Sequence, residues 1–437
     1  MNGTSHWLAC SALVLTMAGA ALVACSASDG TRAVVADSGV DLTDAGDAGG
    51  GVPIDNLSAD QLVEFSADRT AFYQKFAAVD GLGPLYTETS CGDCHMNASR
   101  GPGAATKMVV VEGDGLTALG DQSLLPFGNT EHPKVVTEIP GASTPILPPF
   151  TGVVDGGADA GSISIRITRR LGPSIVGRGY LDAVADSEIE RMESQQATRT
   201  DGIHGRVNHV TFISQANPDA TFDSHQPGDS VIGRFGMKAR IATLDEFTAD
   251  ALQGDMGITS PMRPTEFKNP DGIADDLKAG VDVTADAMNA RAAFVRLLAI
   301  PPRSQKAQNG QAWFGTCHCD VCHAETLRTR SDYPVPQLAN IDAPIYTDML
   351  IHDMGDNLAD SVGGGNEGQA GPRDWRTPPL IGLRESVTYL HDGRSTTIAD
   401  AIAQHGGPGS EAADSAACYS QLAPNIQQQL LDFLADL

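Results

Sequence analysis

The chain is short of positive charge. Its 437 residues carry 29 Lys and Arg against 55 Asp and Glu, a formal charge of −26 at neutral pH. With no basic face to neutralise phosphates, nucleic acid is excluded as a partner. The excess acid reads first as a solvated surface, and it can also steer a basic partner. Only 19% of residues are charged, whereas Gly 47 and Pro 25 are plentiful, so a loop-rich body is expected. Long hydrophobic runs are missing too. The apolar, small-residue stretch from Leu8 to Val23 falls short of the ~20 residues of a comfortable membrane span.

That stretch has the shape of a signal-peptide core, although Met1 to Trp7 holds no Lys or Arg. Leu22-Val23-Ala24-Cys25 is similar to the bacterial lipobox, in which the cysteine is diacylated and becomes the new N-terminus. Residues 1–24 are therefore expected to be a signal peptide and Cys25 a lipid anchor in the membrane. Ser26 in second place points to the outer membrane and a periplasmic location. Residues 25–56, rich in Ala, Gly, Asp and Ser, are expected to be a flexible tether.

Among only eight cysteines, four fall into two pentads, Cys91-Gly92-Asp93-Cys94-His95 and Cys319-Asp320-Val321-Cys322-His323. Cys-x-x-Cys-His is the attachment signal for c-type haem. The thiols add to the vinyl groups, and the adjacent histidine binds iron. A four-cysteine zinc site is the rival, but it leaves both histidines unexplained. Two covalently bound c-type haems are expected, on Cys91, Cys94 and His95 and on Cys319, Cys322 and His323. Such haems are attached outside the cytoplasm, in agreement with export. Of the remaining cysteines, Cys10 leaves with the signal peptide and Cys25 takes lipid. Cys317 and Cys418 are left either as a disulfide or as two free thiols.

The folded part is expected from Leu57. Leu62, Phe65 and Phe72 mark an amphipathic helix over 58–77. From about 108 to 170 the pattern changes: Met108 to Val111 reads as strand, and Ile163, Ile165 and Ile167 alternate with polar residues. Gln305 to Phe314 reads as a helix before the second pentad, with Gly310 and Phe314 on one face. Ile426, Leu430, Phe433, Leu434 and Leu437 form the stripe of a closing helix, with Asn425 as its N-cap. This part resembles a cytochrome c domain, and the resemblance implies that the two helices cross at a glycine–aromatic contact. Ser395 to Gln404 reads as a short helix whose apolar face, Ile398, Ala401 and Ile402, extends to His405. That histidine is a candidate for the second iron's other axial position, with His352 and Met354 as rivals.

Several longer strings then coincide. Trp375-Arg376-Thr377-Pro378-Pro379-Leu380, Tyr389-Leu390-His391-Asp392-Gly393-Arg394 and His405-Gly406-Gly407 are one set. Leu82-Gly83-Pro84-Leu85-Tyr86, Gly233-Arg234-Phe235-Gly236, Asp255-Met256-Gly257-Ile258-Thr259-Ser260 and Ile351-His352-Asp353-Met354-Gly355 are another. Over 57–437 the chain resembles the bacterial di-haem oxidoreductases, a family labelled as peroxidases and sometimes as thiol oxidoreductases, related to the di-haem cytochrome c peroxidases. The related peroxidases carry the distal ligand of the C-terminal haem fourteen residues after the histidine of a His-Asp-Gly loop. From His391 that count reaches His405. The resemblance makes the N-terminal haem the reactive one. It puts the inter-haem tryptophan position at Met237, a glutamine position at Phe247 and the acid–base carboxylate at Asp255. Met237 is a poor relay, and Phe247 cannot hydrogen-bond a peroxide.

The resemblance thus implies a mainly α fold. Two cytochrome c-like haem domains, 57–300 with an insertion and 301–437, carry loop-rich insertions and a few short strands. It also implies Ca2+ between the haem domains and a small redox protein as electron donor. The expected function is peroxide reduction, with electrons passing from the C-terminal to the N-terminal haem. A non-enzymatic di-haem electron carrier is the alternative. Thiol oxidation finds no Cys-x-x-Cys free of haem to serve it.

Overall fold

The computed structural model describes residues 51–96, 104–112, 125, 127–144, 147, 151–155, 161–269, 272–273, 277–303, 308–360 and 367–437. The signal-peptide, lipid-anchor and most of the tether readings lie outside them. The described residues are mainly helical, with eleven helices and a scatter of short strands.

Helix α1 (Ala59–Tyr73) starts at a reciprocal cap. Ser58 Oγ accepts from the Gln61 amide at 3.2 Å, and Gln61 Oε1 accepts from the Ser58 amide at 2.9 Å. The expected tether ends a little early: Ile54 is buried, and its amide donates to the Leu297 carbonyl at 2.8 Å. Burial of one large apolar side chain is enough to hold so short a segment. The chain continues through β1 (Leu85–Tyr86) into α2 (Cys91–Cys94), the first pentad.

The insertion is a three-stranded antiparallel sheet, β2 (Ala104–Val110), β5 (Ser162–Leu171) and β4 (Thr151–Asp155) in that order, with Met108 opposite Ile167. Met108, Val110, Ile163 and Ile165 bury one face against Phe127 and Leu85, as their alternation predicts. Between β2 and β4, β3 (Lys134–Val135) pairs with β1 and fastens the insertion to the approach to the first pentad.

Next come α3 (Arg178–Ala183), α4 (Asp186–Gln196), the paired strands β6 (His209–Thr211) and β7 (Ser230–Ile232), α5 (Leu244–Met256) and α6 (Ala285–Arg296). Helix α6 lies on α1, with Phe294 against Phe65 and Phe72 at centroid distances of 5.1 and 4.9 Å. Helix α5 is capped by Thr243, whose Oγ1 accepts from the Glu246 amide at 3.1 Å. It stops at Gly257, which adopts φ +70°.

The helix expected over 305–314 is a 3-10 turn at Gln308–Gly310 followed by α7 (Gln311–Thr316). The second pentad is α8 (Cys319–Cys322). Short strands β8 (Leu327–Arg328) and β9 (Asp342–Ala343) pair, as do β10 (Ile351–Asp353) and β11 (Asp374–Arg376). Helix α9 (Ile398–Gln404) begins later than Ser395 because Thr397 is the cap, its Oγ1 accepting from the Asp400 amide at 3.1 Å. Helices α10 (Ala413–Gln421) and α11 (Pro424–Ala435) close the chain. Asn425 is not the N-cap of α11: Pro424, with its preset φ and no N–H to leave unpaired, takes the first helical position. The stripe is as expected, with Leu430, Phe433, Leu434 and Leu437 buried. Gly310 sits directly on α11, where a Cβ would overlap the Gln429 carbonyl and crowd Phe433. Cys317 and Cys418 form a disulfide that ties α7 to α10. The largest core joins both halves, packing Phe65, Phe72 and Phe294 with Leu338, Leu350 and Ile381.

Candidate functional site

The two pentads fold alike. Each makes one helical turn that puts its two thiols on one face, and each histidine follows as the C-cap. The His95 amide donates to the Cys91 carbonyl at 2.9 Å, and the His323 amide to the Cys319 carbonyl at 2.9 Å. Each imidazole packs on a phenylalanine from the preceding helix. The His95–Phe72 and His323–Phe314 centroid distances are both 6.4 Å, with ring tilts of 48° and 51°. All four cysteines are free of disulfides. Burial pushes the Cys91 thiol up to about 11 and those of Cys94 and Cys319 to about 12. Among the described residues, the one group of three or more potential ligands in mutual reach is Cys322, Asp348 and His352, so the pentads do not converge on a four-cysteine zinc site.

At the second pentad, His323 Nδ1 donates to the Tyr346 carbonyl at 3.2 Å, and His405 Nδ1 donates to the Ala401 carbonyl at 2.7 Å. Each ring thereby keeps Nε2 for another bond, the tautomer an iron-binding imidazole needs. Burial, and then the nearby His405, push the His323 pKa down to about 4. Burial lowers that of His405 as well, so both rings stay neutral. His352 is differently placed. Its Nε2 bonds Asp348 at 2.9 Å and its Nδ1 bonds Glu411 at 2.7 Å, which leaves no lone pair for iron. Burial opposes its charge, but the Cys322 sulfur and Asp348 hold its pKa well above the ordinary value. Glu411 also lines a surface cleft of about 670 Å³ with Arg206, Asp353, Asp356, Arg373 and Asp374. His352 in turn lies 3.8 Å from Cys322 Sγ.

At the first pentad, the buried Arg291 guanidinium rests against Cys91 and over the Phe76 ring at 4.9 Å. Asp255 occupies the last turn of α5, a position the helix dipole disfavours for an anion. Its carbonyl accepts from the Thr87 amide at 2.7 Å, on the approach to Cys91. Its charge reaches Cys91 and Cys94, raising both thiol pKa values alongside the larger effect of burial. Next to it, His132 Nε2 bonds the Gly254 carbonyl at 2.8 Å. Phe247 stacks on Phe235 at 5.9 Å as part of the core, and the Met237 carbonyl accepts from the Arg376 amide at 2.9 Å.

Between the halves lies a group that sequence reasoning missed. Lys238, with no exposed surface, donates from Nζ to the carbonyls of Gly371 at 2.8 Å, Asp374 at 2.8 Å and Pro372 at 3.3 Å. The same Nζ lies 3.8 Å from the Trp375 ring centre, and His391 stacks on Trp375 at 3.8 Å. Burial lowers the Lys238 pKa to about 8 and that of His391 to about 3. The carbonyls of Gly371, Pro372 and Asp374 are thus taken by this ammonium. Lys238, His132 and Arg291 each reach their own place only through long-range packing, so no local spacing announces them.

The family model described as "Di-haem oxidoreductase, putative peroxidase" matches residues 161–437. No curated protein matches the chain. Among solved structures, a hydrazine synthase of Kuenenia stuttgartiensis aligns over 96% of this chain and 100% of its own. It shares 12% identity at a TM-score of 0.35, a likeness too loose to carry an argument.

Proposed function

Because the chain belongs to the di-haem oxidoreductase family, we propose that it is a c-type di-haem enzyme that reduces a peroxide with electrons from a small redox protein. The observation that carries this reading is the duplicated pentad geometry, together with two histidines, His323 and His405, that each present Nε2.

The residues fit the group. Cys91, Cys94 and His95 would hold the N-terminal haem in a cytochrome c-like domain over 57–300. Cys319, Cys322, His323 and His405 would hold the C-terminal haem in a second such domain over 301–437. The haems supply one-electron storage and an iron that can cleave an O–O bond. The chain does the rest. His323 and His405 would together hold the C-terminal haem and reserve that site for electron transfer, and the N-terminal site, with Asp255 nearby, would be the place for substrate. Reduction consumes two electrons and two protons, ROOH + 2e⁻ + 2H⁺ → ROH + H₂O. Electrons would enter at the C-terminal site. The cleft that contains Glu411 supports this entry point, since Glu411 and His352 bridge from its wall to the Cys322 sulfur. Export, a lipid on Cys25 and a basic donor complete the proposal; they rest on the N-terminal sequence and the charge of −26.

A pyridine haemochrome assay on denatured protein is expected to count two retained haems. Electron paramagnetic resonance of the ferric protein is expected to show one low-spin and one high-spin haem. One haem or extractable haem defeats the c-type reading, and two low-spin signals turn the protein into an electron carrier.

A further inference from the structure

We infer that His132 is the proton acceptor for peroxide at the N-terminal haem site, acting through Nδ1, with Asp255 as its charge partner. This rests on the peroxide-reducing reading above and names a residue that the family resemblance does not.

His132 is 2% exposed. It stands two residues before β3, so the insertion delivers it to the end of α5. Its Nε2–H donates to Gly254 at 2.8 Å, while Nδ1 is buried with no partner among the described residues. Thr87 Oγ1, in the segment whose amide bonds the Asp255 carbonyl, is likewise buried with no partner among the described residues. Buried polar atoms without partners are rare and destabilising, so the free Nδ1 within reach of the Asp255 charge points to an occupant with its own donors and acceptors. A peroxide has both.

The choice of nitrogen separates this histidine from the iron ligands. His323 and His405 commit Nδ1 to a backbone carbonyl and present Nε2. His132 does the reverse and presents the nitrogen crowded by its own Cβ, which suits a proton better than a haem iron. The groups acting on it are Asp255 and Glu131, which favour its charged form, and Lys107, which opposes it. Burial dominates and keeps the ring neutral, ready to accept. Asp255 then stabilises the imidazolium once it forms.

The chemistry balances as the overall reaction does. Nδ1 takes the proton from one peroxide oxygen and returns it to the other as the O–O bond breaks. That proton is the peroxide's own; the two further protons that the overall reaction consumes come from solvent, and both electrons come from the donor protein.

The test uses the full-length protein with both haems. His132→Gln keeps an N–H for Gly254 and removes the base. Peroxide turnover is expected to fall by ~10²–10⁴-fold, the usual worth of a positioned acid–base group. Cyanide association is expected to slow as well, because HCN must lose its proton on entry. Haem content and ferric spin state should not change. The assignment is overturned if His132→Gln behaves as wild type in both assays while Asp255→Asn carries the whole loss. It is equally overturned if His132→Gln changes the spin state of the N-terminal haem, which would make His132 a ligand. Should the variant not fold, nitrogen-15 spectra of the wild type decide: Nδ1 is expected to be unprotonated at rest and to shift when cyanide binds, and an unmoved signal sinks the idea. If wild type lacks peroxide turnover altogether, the functional reading fails, yet the cyanide and nitrogen-15 arms still report on His132.

Discussion

At the scale of single residues, the histidines divide by what each ring nitrogen touches. His405 offers Nε2 toward the second pentad, whereas His352 has both nitrogens occupied by carboxylates. His405→Ala is therefore expected to change the spin state and lower-energy spectrum of the C-terminal haem alone. A spectrum that moves with Met354→Ala instead would make Met354 the ligand. His391 makes a different prediction. Its folded pKa of about 3 lies below the unfolded value of ~6.5, so the unfolded chain binds the extra proton between those limits. Its contribution to stability is present above ~6.5 and is lost as pH falls toward 3. His391→Phe, which keeps a ring on Trp375, should flatten the acid limb by up to about 1.4 kcal/mol per pH unit. Denaturant melts at neutral pH and at about pH 5 measure it, and an unchanged slope would place the proton elsewhere.

At the scale of elements, much was legible because the signals are local. The pentads fix the thiols and histidines, and the stripe from Leu430 to Leu437 names the buried face of α11. The alternation of Ile163 and Ile165 finds β5. Caps were less legible: Pro424 rather than Asn425 opens α11, since a preset φ outweighs a side-chain acceptor at that position. The polar groups around Asp255 were not legible beyond the carboxylate itself. His132 arrives from a sheet whose docking on β1 no periodicity specifies, and Lys238 is read correctly only once its three carbonyls are in place. Helix contacts carry their own test. Gly310→Ala pushes a methyl into the Gln429 carbonyl, so it should destabilise the second unit by about 1–3 kcal/mol, the usual cost of overpacking. Thermal melts followed at the C-terminal haem band should register it, and a melt equal to wild type would mean that α11 yields freely.

At the scale of the molecule, two cross-links act on different parts. The Cys317–Cys418 disulfide closes a loop of 101 residues that contains the second pentad, β10, β11 and His405. Removing it frees that whole length in the unfolded chain, and Cys418→Ser is expected to lose about 3–5 kcal/mol. Denaturation under oxidising and reducing conditions checks this: the wild type should respond to reductant and the variant should not. The other cross-link is Lys238, which joins the strand-to-α5 segment of one half to the Gly371–Asp374 segment of the other through carbonyls alone. A free ion held by the same oxygens would come and go with its concentration, and the joint between the halves would follow supply and demand for that ion. An ammonium borne by the chain cannot diffuse away and can give up only its proton, as pH rises past about 8. Dilution cannot empty it and a chelator cannot strip it, so the two halves keep their registration wherever the protein travels, whatever the mineral content of the medium around it.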